Sequence, residues 1–197
     1  MTAPTEHSID DAAVIRQSWH EPDAFATLYD RHATALHRFV TRRLGAAFAD
    51  DIVAECFLAA FRYRDKYDLS RADARPWLYG IAANVIGKHR RAEVRLLRAL
   101  ARTGIDPDTV NHADQIESRV VASAAHRALS GALAALSPGD REVLLLIAWA
   151  DLSYDEIAEA LSIPVGTVRS RLNRARRKTR AALDEYDPKL QHEEFCQ

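Results

Sequence analysis

Basic side chains are concentrated in two short blocks of an otherwise neutral chain. The whole sequence has 27 Lys and Arg against 28 Asp and Glu, a formal net charge of −1. Residues 161–181 contain no acid, and their basic residues are Arg169, Arg171, Arg174, Arg176, Arg177, Lys178 and Arg180. Residues 88–102 contain one acid and the basic residues Lys88, Arg90, Arg91, Arg95, Arg98 and Arg102. Because phosphates are neutralised by local charge, the blocks indicate two nucleic-acid contacts or, more simply, two solvated helix faces.

The first block lies in a pattern typical of two short helices joined by a tight turn. Ser153 and Glu156 have capping-box spacing, which predicts a helix that begins at Tyr154. Pro164 ends that helix by about residue 162, and a second helix is predicted from residue 165. The apolar residues of the second helix recur at three- and four-residue spacing and so form its inward face. The residues predicted to face outward are Arg169, Ser170, Arg171, Asn173, Arg174 and Arg177. This arrangement is a helix-turn-helix, whose second helix can read DNA, or else an ordinary hairpin with a basic side.

Helical periodicity extends along nearly the whole chain, and no stretch alternates as a half-buried strand does. The predicted fold class is therefore all-α. We expect a long helix that opens at Pro22 and stops at Gly45, and a helix that begins at Pro76. Between them a helix is expected over residues 50–66, with Asp50 and Asp51 at the N-terminal end that the helix dipole makes favourable for acids.

Composition divides these helices into two small domains. Residues 104–117 contain Asp and Glu without any Lys or Arg, which predicts a flexible acidic linker. The predicted organisation is a disordered tail (1–10), a first helical domain (11–102), the acidic linker (103–119), a second helical domain (120–185) and a C-terminal tail (186–197). Helical periodicity resumes at residue 120, and Ser137 is the predicted N-cap of a helix whose first residue is Pro138.

The composition excludes several classes of protein. The chain has 197 residues and 48% hydrophobic residues, enough for one ordinary domain or two small ones. No apolar run approaches the roughly 20 residues of a membrane span, and no secretory signal is visible. We therefore expect a cytoplasmic protein without membrane insertion. Cys56 and Cys196 are far apart and unpaired in sequence, which predicts neither a zinc site nor a disulfide.

No enzyme signature is present, and neither a cofactor nor a metal is expected. The 8 His are scattered, and the sequence has no His-Glu-x-x-His motif and no glycine-rich phosphate loop. The one carboxylate cluster that the sequence suggests is Asp50, Asp51 and Glu55. Asp51 and Glu55 share a helical face that could hold a divalent ion. Acids near the start of a helix are, however, commonly there because they interact favourably with the helix dipole.

Three segments resemble a known family. Residues 163–176, IPVGTVRSRLNRAR, closely resemble region 4 of the extracytoplasmic-function sigma factors, the compact promoter-recognition subunits of bacterial RNA polymerase. Residues 51–58, DIVAECFL, and 77–84, WLYGIAAN, resemble region 2. The resemblance implies that the chain directs core polymerase to specific promoters by binding minus-35 and minus-10 elements. A stand-alone helix-turn-helix regulator is the alternative, and it would not require the region 2 match.

The resemblance also implies partners. Asp51, Glu55 and Leu58 would bind the clamp helices of the largest polymerase subunit, and region 4 would meet the flap of the second-largest subunit. An anti-sigma factor is a further candidate partner, and the sequence does not identify one. Ala54 replaces a glutamine and Ala59 a frequent arginine of the family, so the polar contacts to the clamp are expected to differ from the usual ones.

Promoter contacts follow from the same resemblance. The minus-10 candidates are Tyr67, Asp68, Ser70, Trp77, Asn84, Lys88, Arg90 and Arg91. The minus-35 candidates are Tyr154, Thr167, Arg169, Ser170, Arg171, Asn173, Arg174, Arg177 and Lys178. Trp77 is more simply explained as a core residue on the apolar stripe of its helix, and Lys88 replaces an aspartate of many relatives. The acidic linker could occupy the RNA channel of the polymerase or serve only as a tether.

Overall fold

A computed structural model describes residues 10–103 and 116–184, and for residues 116–123 it describes the backbone alone. These residues form helices joined by turns and short connections, which confirms the all-α expectation. The α-helices are α1 (Asp11–Gln17), α2 (Ala26–Leu44), α3 (Ala46–Arg62), α4 (Arg75–Lys88), α5 (Arg90–Thr103), α6 (Ile116–Ala135), α7 (Pro138–Ala150), α8 (Tyr154–Ala160) and α9 (Val165–Asp184). Two single turns of 3₁₀-helix, Pro22–Phe25 and Arg64–Lys66, precede α2 and follow α3.

Gly45 determines where α2 ends and α3 begins. Its φ of +89° lies in the region that favours glycine, and its N–H donates to the Thr41 carbonyl at 2.8 Å. The chain therefore reverses over one residue, and α3 begins at Ala46, four residues earlier than expected. Asp50 consequently lies in the second turn of α3, and the expectation that Asp50 and Asp51 stand at its N-terminal end is wrong.

The helix starts in the second half follow the predicted caps. The Ser137 hydroxyl accepts a hydrogen bond from the Asp140 N–H, and Ser153 and Glu156 form both hydrogen bonds of the capping box. The helix α6 begins at Ile116, four residues before the predicted start at residue 120. Residues 104–115 of the expected linker, and both expected tails apart from residue 10, lie outside the described residues.

Helices α1 to α5 pack as one bundle. Its core contains Leu28, Phe39, Val40, Ile52 and Ile86, each at most 2% exposed. The rings of Phe39 and Tyr79 meet edge to face, with centroids 5.1 Å apart. Helices α6 to α9 form the second bundle, whose buried side chains include Leu133, Val143, Leu146, Ile157, Val168 and Leu172.

Asp11 holds the segment before α4 in place. Its carboxylate lies 2.7 Å from His32 Nε2 and 2.9 Å from Arg31 Nη1, and it accepts the N–H of Ala74 at 3.0 Å. Burial by itself raises the pKa of Asp11, but these hydrogen bonds outweigh burial and lower it to about 2. Asp73 comes close enough that Asp11, His32 and Asp73 offer ligand atoms within 4.8 Å of one another. Because Asp11 is already satisfied by its partners, we assign this cluster a structural role.

Candidate polymerase and nucleic-acid interface

The turn between α8 and α9 sets the direction of the basic helix. Ser162 adopts a left-handed φ of +51°, and the Ile163 N–H donates to the Ala158 carbonyl at 3.0 Å. Val168, Leu172 and Ala175 are buried on the side of α9 that packs against α6, α7 and α8. The opposite side of α9 is therefore open to solvent, as the spacing of its apolar residues predicts.

The exposed side of α9 is strongly basic. The residues exposed there include Arg169, Ser170, Asn173, Arg176, Arg177, Lys178 and Arg180. Within the described part of the chain, the basic side chains of this set form no ion pair, so their charge is available to phosphates. The Ser170 hydroxyl donates to the Thr167 carbonyl at 3.0 Å. Tyr154, at the start of α8, is partly exposed.

Two arginines of α9 instead turn back toward α7. Arg174 Nη2 donates to Asp140 Oδ1 at 2.9 Å, which raises the pKa of Arg174. Burial by itself raises the pKa of Asp140, but the hydrogen bonds from Arg174 and Ser137 lower it overall. The Arg171 guanidinium lies against Gly139, where an added Cβ would be 3.0 Å from Cζ. Arg174 is thus bonded to the first turn of α7 and Arg171 lies against it, unlike Arg169.

Tyr67 and Trp77 support the loop that precedes α4. Tyr67 is 6% exposed, its hydroxyl donates to the Arg71 carbonyl at 2.8 Å, and burial raises its pKa. Its ring centroid lies 5.0 Å from that of Trp77, which is itself partly buried against the core. This placement favours the core interpretation of Trp77, and it gives Tyr67 a supporting position beneath the loop.

The surface of the same loop is polar. Asp68 Oδ1 accepts hydrogen bonds from the Ser70 N–H at 3.0 Å and the Ser70 hydroxyl at 2.7 Å, and these bonds lower the pKa of Asp68. Asn84, on the second half of α4, is also exposed. Among the minus-10 candidates, Asp68, Ser70 and Asn84 therefore present edge-binding groups to solvent.

The basic face of α5 continues from this surface. Its exposed residues are Arg90, Arg91, Arg95, Arg98 and Arg102, and none of them forms an ion pair with another described residue. The one acid of this block, Glu93, is buried and pairs with Arg43. Lys88 differs, because its Nζ donates to Glu55 Oε1 at 2.7 Å. Lys88, a predicted DNA contact, therefore forms an ion pair with Glu55, a predicted polymerase contact.

The outer face of α3 combines acids with an apolar patch. Asp51 and Leu58 are exposed, Glu55 is half-buried between them, and Leu58 retains 50% of its surface. Tyr29 of α2 is 48% exposed beside Phe57, with ring centroids 4.8 Å apart. The helical spacing of α2 predicts that Tyr29 faces the core, and that interpretation is wrong because Phe57 of α3 covers only part of its ring.

Comparison with known proteins identifies the family. The family model "Sigma-70 region 2" matches residues 28–102, and "Sigma-70, region 4" matches residues 121–179. RNA polymerase sigma factor NccH of Alcaligenes xylosoxydans xylosoxydans is 31% identical over 182 residues, which cover 91% of this chain and 97% of that relative. The chain belongs to the extracytoplasmic-function sigma factors. This sigma factor is also 36% identical to ECF RNA polymerase sigma factor SigL of Mycobacterium tuberculosis, over 80% of its own length and 88% of SigL.

Solved structures agree with this assignment. CnrH, in complex with the cytosolic domain of CnrY, matches 90% of this sigma factor and 99% of its own chain, with a TM-score of 0.63 and 28% identity. RpoE from Bartonella quintana, in complex with the anti-sigma factor NepR, has the same fold, with a TM-score of 0.57 and 22% identity. No helix in the ranges that the structure describes is long and apolar enough to cross a membrane.

The family defines the activity. This sigma factor directs RNA polymerase to specific promoters and is a DNA-binding transcription initiation factor. A stand-alone regulator would not account for the region 2 match, which covers most of the first bundle. Helices α3 and α4 lie within region 2, and α7, α8 and the first fifteen of the twenty residues of α9 lie within region 4.

Proposed function

We propose that the outer face of α3 is the contact with the clamp helices of the largest polymerase subunit. The observation that carries this proposal is a pair of large apolar side chains, Leu58 and Tyr29, that are each about half exposed on the side of the bundle that also carries Asp51 and Glu55. An exposed apolar patch with a charged rim is typical of a docking surface. Tyr29 reaches this surface through its ring contact with Phe57, the residue before Leu58. The clamp would need to present basic residues toward Glu55, and Lys88 now occupies that position.

Charge reversal at Glu55 is expected to weaken assembly with core polymerase by about tenfold, since a like charge in an interface is costly. The measurement is the affinity of fluorescently labelled Glu55→Lys for bacterial core polymerase, with helicity checked by circular dichroism. Asp65→Lys is the matched control, because it makes the same change of charge at an exposed position outside α3. Equal affinities for the two variants would place the clamp contact elsewhere.

We further propose that Asp68, Ser70 and Asn84 read the minus-10 element as its strands separate. The support is that these three side chains are exposed and carry groups that can bind the edge of an unstacked base. Arg90 and Arg91 would meet the phosphates nearby. For Tyr67 and Trp77, the buried contact between their rings supports a positioning role, in which they hold the loop for the residues above them.

Replacement of Asn84 by alanine is expected to reduce formation of the open complex several-fold while leaving closed-complex binding within about twofold. An edge-binding amide contributes only after the base has left the stack, so its loss acts at melting. Permanganate footprinting of the melted bases measures the first quantity, and a mobility-shift assay measures the second. If the footprints of variant and parent are the same, Asn84 does not read the element.

For region 4, we propose that α9 enters the major groove of the minus-35 element and that region 4 also meets the flap of the second-largest subunit. The uncompensated basic face of α9 supports the first part. An anti-sigma factor is a proposed partner, because the structures of CnrH and RpoE were solved with the cytosolic domain of CnrY and with the anti-sigma factor NepR, respectively. We also propose that the chain has no catalytic activity of its own and acts in the cytoplasm, where its polymerase and DNA are.

A further inference from the structure

The loop of residues 67–74, called here the minus-10 loop, is attached at its C-terminal end to helix α1. The N–H of Asp11, the first residue of α1, donates to the Ala72 carbonyl at 3.0 Å. In the opposite direction, the Asp11 carboxylate accepts the N–H of Ala74 at 3.0 Å. Asp11 and Ala74 are both buried, so water does not compete for this second bond. The end of the minus-10 loop is therefore fixed to the start of α1.

The residues that follow α1 are attached to the segment that enters the same loop. Arg64 lies in the single 3₁₀ turn that directly precedes the minus-10 loop. Its Nε donates to the Ser18 carbonyl at 3.3 Å, and Trp19 Nε1 donates to the Arg64 carbonyl at 3.3 Å. The Arg64 guanidinium also stacks on the Phe61 ring, 3.9 Å from its centroid. The start of the loop is therefore fixed to the end of α1.

Helix α1 thus connects the two ends of the minus-10 loop. It has seven residues, which span about 10 Å at 1.5 Å per residue. The helix is itself anchored on the first bundle, because Val14 and Ile15 are buried and the Asp11 carboxylate contacts Arg31 and His32 of α2. The minus-10 loop can therefore change its shape at either end only by breaking hydrogen bonds to α1. This helix precedes the residues that the region 2 family model matches.

We propose that α1 is a brace for the minus-10 loop and that Asp11 is a positioning residue for recognition of the minus-10 element. The inference rests on the proposed reading of that element by Asp68 and Ser70 of the loop. Groups that bind the edge of an unstacked base are most effective when they are already in place, because a mobile loop loses conformational entropy when it binds. The buried Asp11 carboxylate contacts the backbone of the loop, so it acts on the base only through the shape of the loop.

Asp11→Ala tests the brace, with Asp10→Ala as its matched control. Asp10 is the N-cap of α1, and its carboxylate accepts the Ala13 N–H at 2.6 Å. Its replacement therefore weakens α1 while the Asp11 carboxylate remains to accept the Ala74 N–H. The measured quantity is the minus-10 ratio, which is the extent of open-complex formation on a library-selected promoter divided by that on the same promoter with one minus-10 base replaced.

The minus-10 ratio is expected to fall by about three- to tenfold in Asp11→Ala, the range for one ordered group that becomes mobile in the free protein. In Asp10→Ala it is expected to stay within about twofold of the wild-type value. A variant that only loses stability reduces the active holoenzyme equally for both promoters, so its ratio does not change. Asp11→Asn is expected to restore most of the ratio, because its amide carbonyl can still accept the Ala74 N–H although the charge beside Arg31 is lost.

Arg64→Met removes the attachment at the other end of the loop. Methionine retains packing against Phe61, and the exposed Arg62 provides the matched control, Arg62→Met. We expect the minus-10 ratio to fall about threefold in Arg64→Met, because the bond to the Ser18 carbonyl is lost while the bond from Trp19 remains. Circular dichroism verifies that each variant is folded, and Arg64→Met decides the question if Asp11→Ala is not.

Amide hydrogen exchange of the free full chain, followed by NMR, measures the brace without DNA. The Ala74 N–H is expected to exchange about tenfold faster in Asp11→Ala than in the wild type or Asp10→Ala, because its acceptor has been removed. An unchanged exchange rate at Ala74 in Asp11→Ala would overturn the inference, since Asp11 would then not hold the loop.

Unchanged minus-10 ratios in folded Asp11→Ala and Arg64→Met would also overturn the inference, even if Ala74 exchanges faster. Ser70→Ala, a change within the loop, distinguishes this result from failure of the proposed function. If Ser70→Ala lowers the ratio and the two brace variants do not, the loop reads the element without help from α1. If Ser70→Ala leaves the ratio unchanged as well, the proposed reading by Ser70 fails together with the inference.

Discussion

Replacement of Arg43 by methionine is expected to lower the free energy of unfolding by about 3–5 kcal/mol, the usual cost of removing one partner from a buried ion pair. Arg43 is 3% exposed, and its guanidinium contacts both Glu93 and Glu142. Burial by itself lowers the pKa of Arg43, but these two carboxylates raise it above its ordinary value. Methionine preserves most of the apolar stem, so the loss reports on the charge and its hydrogen bonds.

Urea unfolding of the full chain, followed by tryptophan fluorescence, measures this loss. Arg42→Met is the control, because Arg42 is the neighbouring residue of α2 and is exposed. Its replacement is expected to change the free energy of unfolding by less than about 0.5 kcal/mol. A loss of similar size in both variants would show that the buried cluster does not contribute the stability assigned to it.

The basic residues of α9 are expected to divide into base readers and phosphate contacts. Arg169→Ala should cost about 1–3 kcal/mol on the preferred minus-35 sequence and relax the preference at one or two positions. Arg177→Ala should weaken all sequences alike and reduce the salt slope by about 0.9. The reason is position along α9, since Arg169 lies in its first turns and Arg177 two turns later, where phosphates are the nearer groups.

A promoter selected from a randomised library, transcribed by the holoenzyme, supplies the duplex for these measurements. Holoenzyme affinities for the selected and a scrambled minus-35 sequence are compared across a salt series. The same measurements are made on Arg171→Ala and Arg174→Ala. Arg174 can read a base only if it gives up its hydrogen bond to Asp140. If Arg169→Ala, Arg171→Ala and Arg174→Ala weaken both sequences equally, α9 does not read sequence.

Short-range features of this protein were predictable from its sequence. The capping box at Ser153, the N-cap at Ser137 and the break at Pro164 depend on residues within four positions of one another, so they form whatever the rest of the chain does. Predictions of burial were less accurate, because they depend on which helix packs against which. Tyr29 has core spacing but is exposed, because helical periodicity identifies a face without identifying its neighbour.

Helical periodicity predicted the all-α class, and the basic blocks and the motif resemblance predicted the family and the positions of the candidate contacts, because each of these signals lies in contiguous residues. Only the tertiary structure decided which of those residues are exposed and unpaired, and so able to bind a partner. Lys88 pairs with Glu55 across 33 positions, and Arg43 with Glu142 across 99. Such pairs depend on how the helices pack, and so does the close contact between Gly80 on α4 and the backbone of Ala160 at the end of α8. Electrostatic and steric contacts of this kind act over a few ångströms in space, whereas the sequence records separation along the chain.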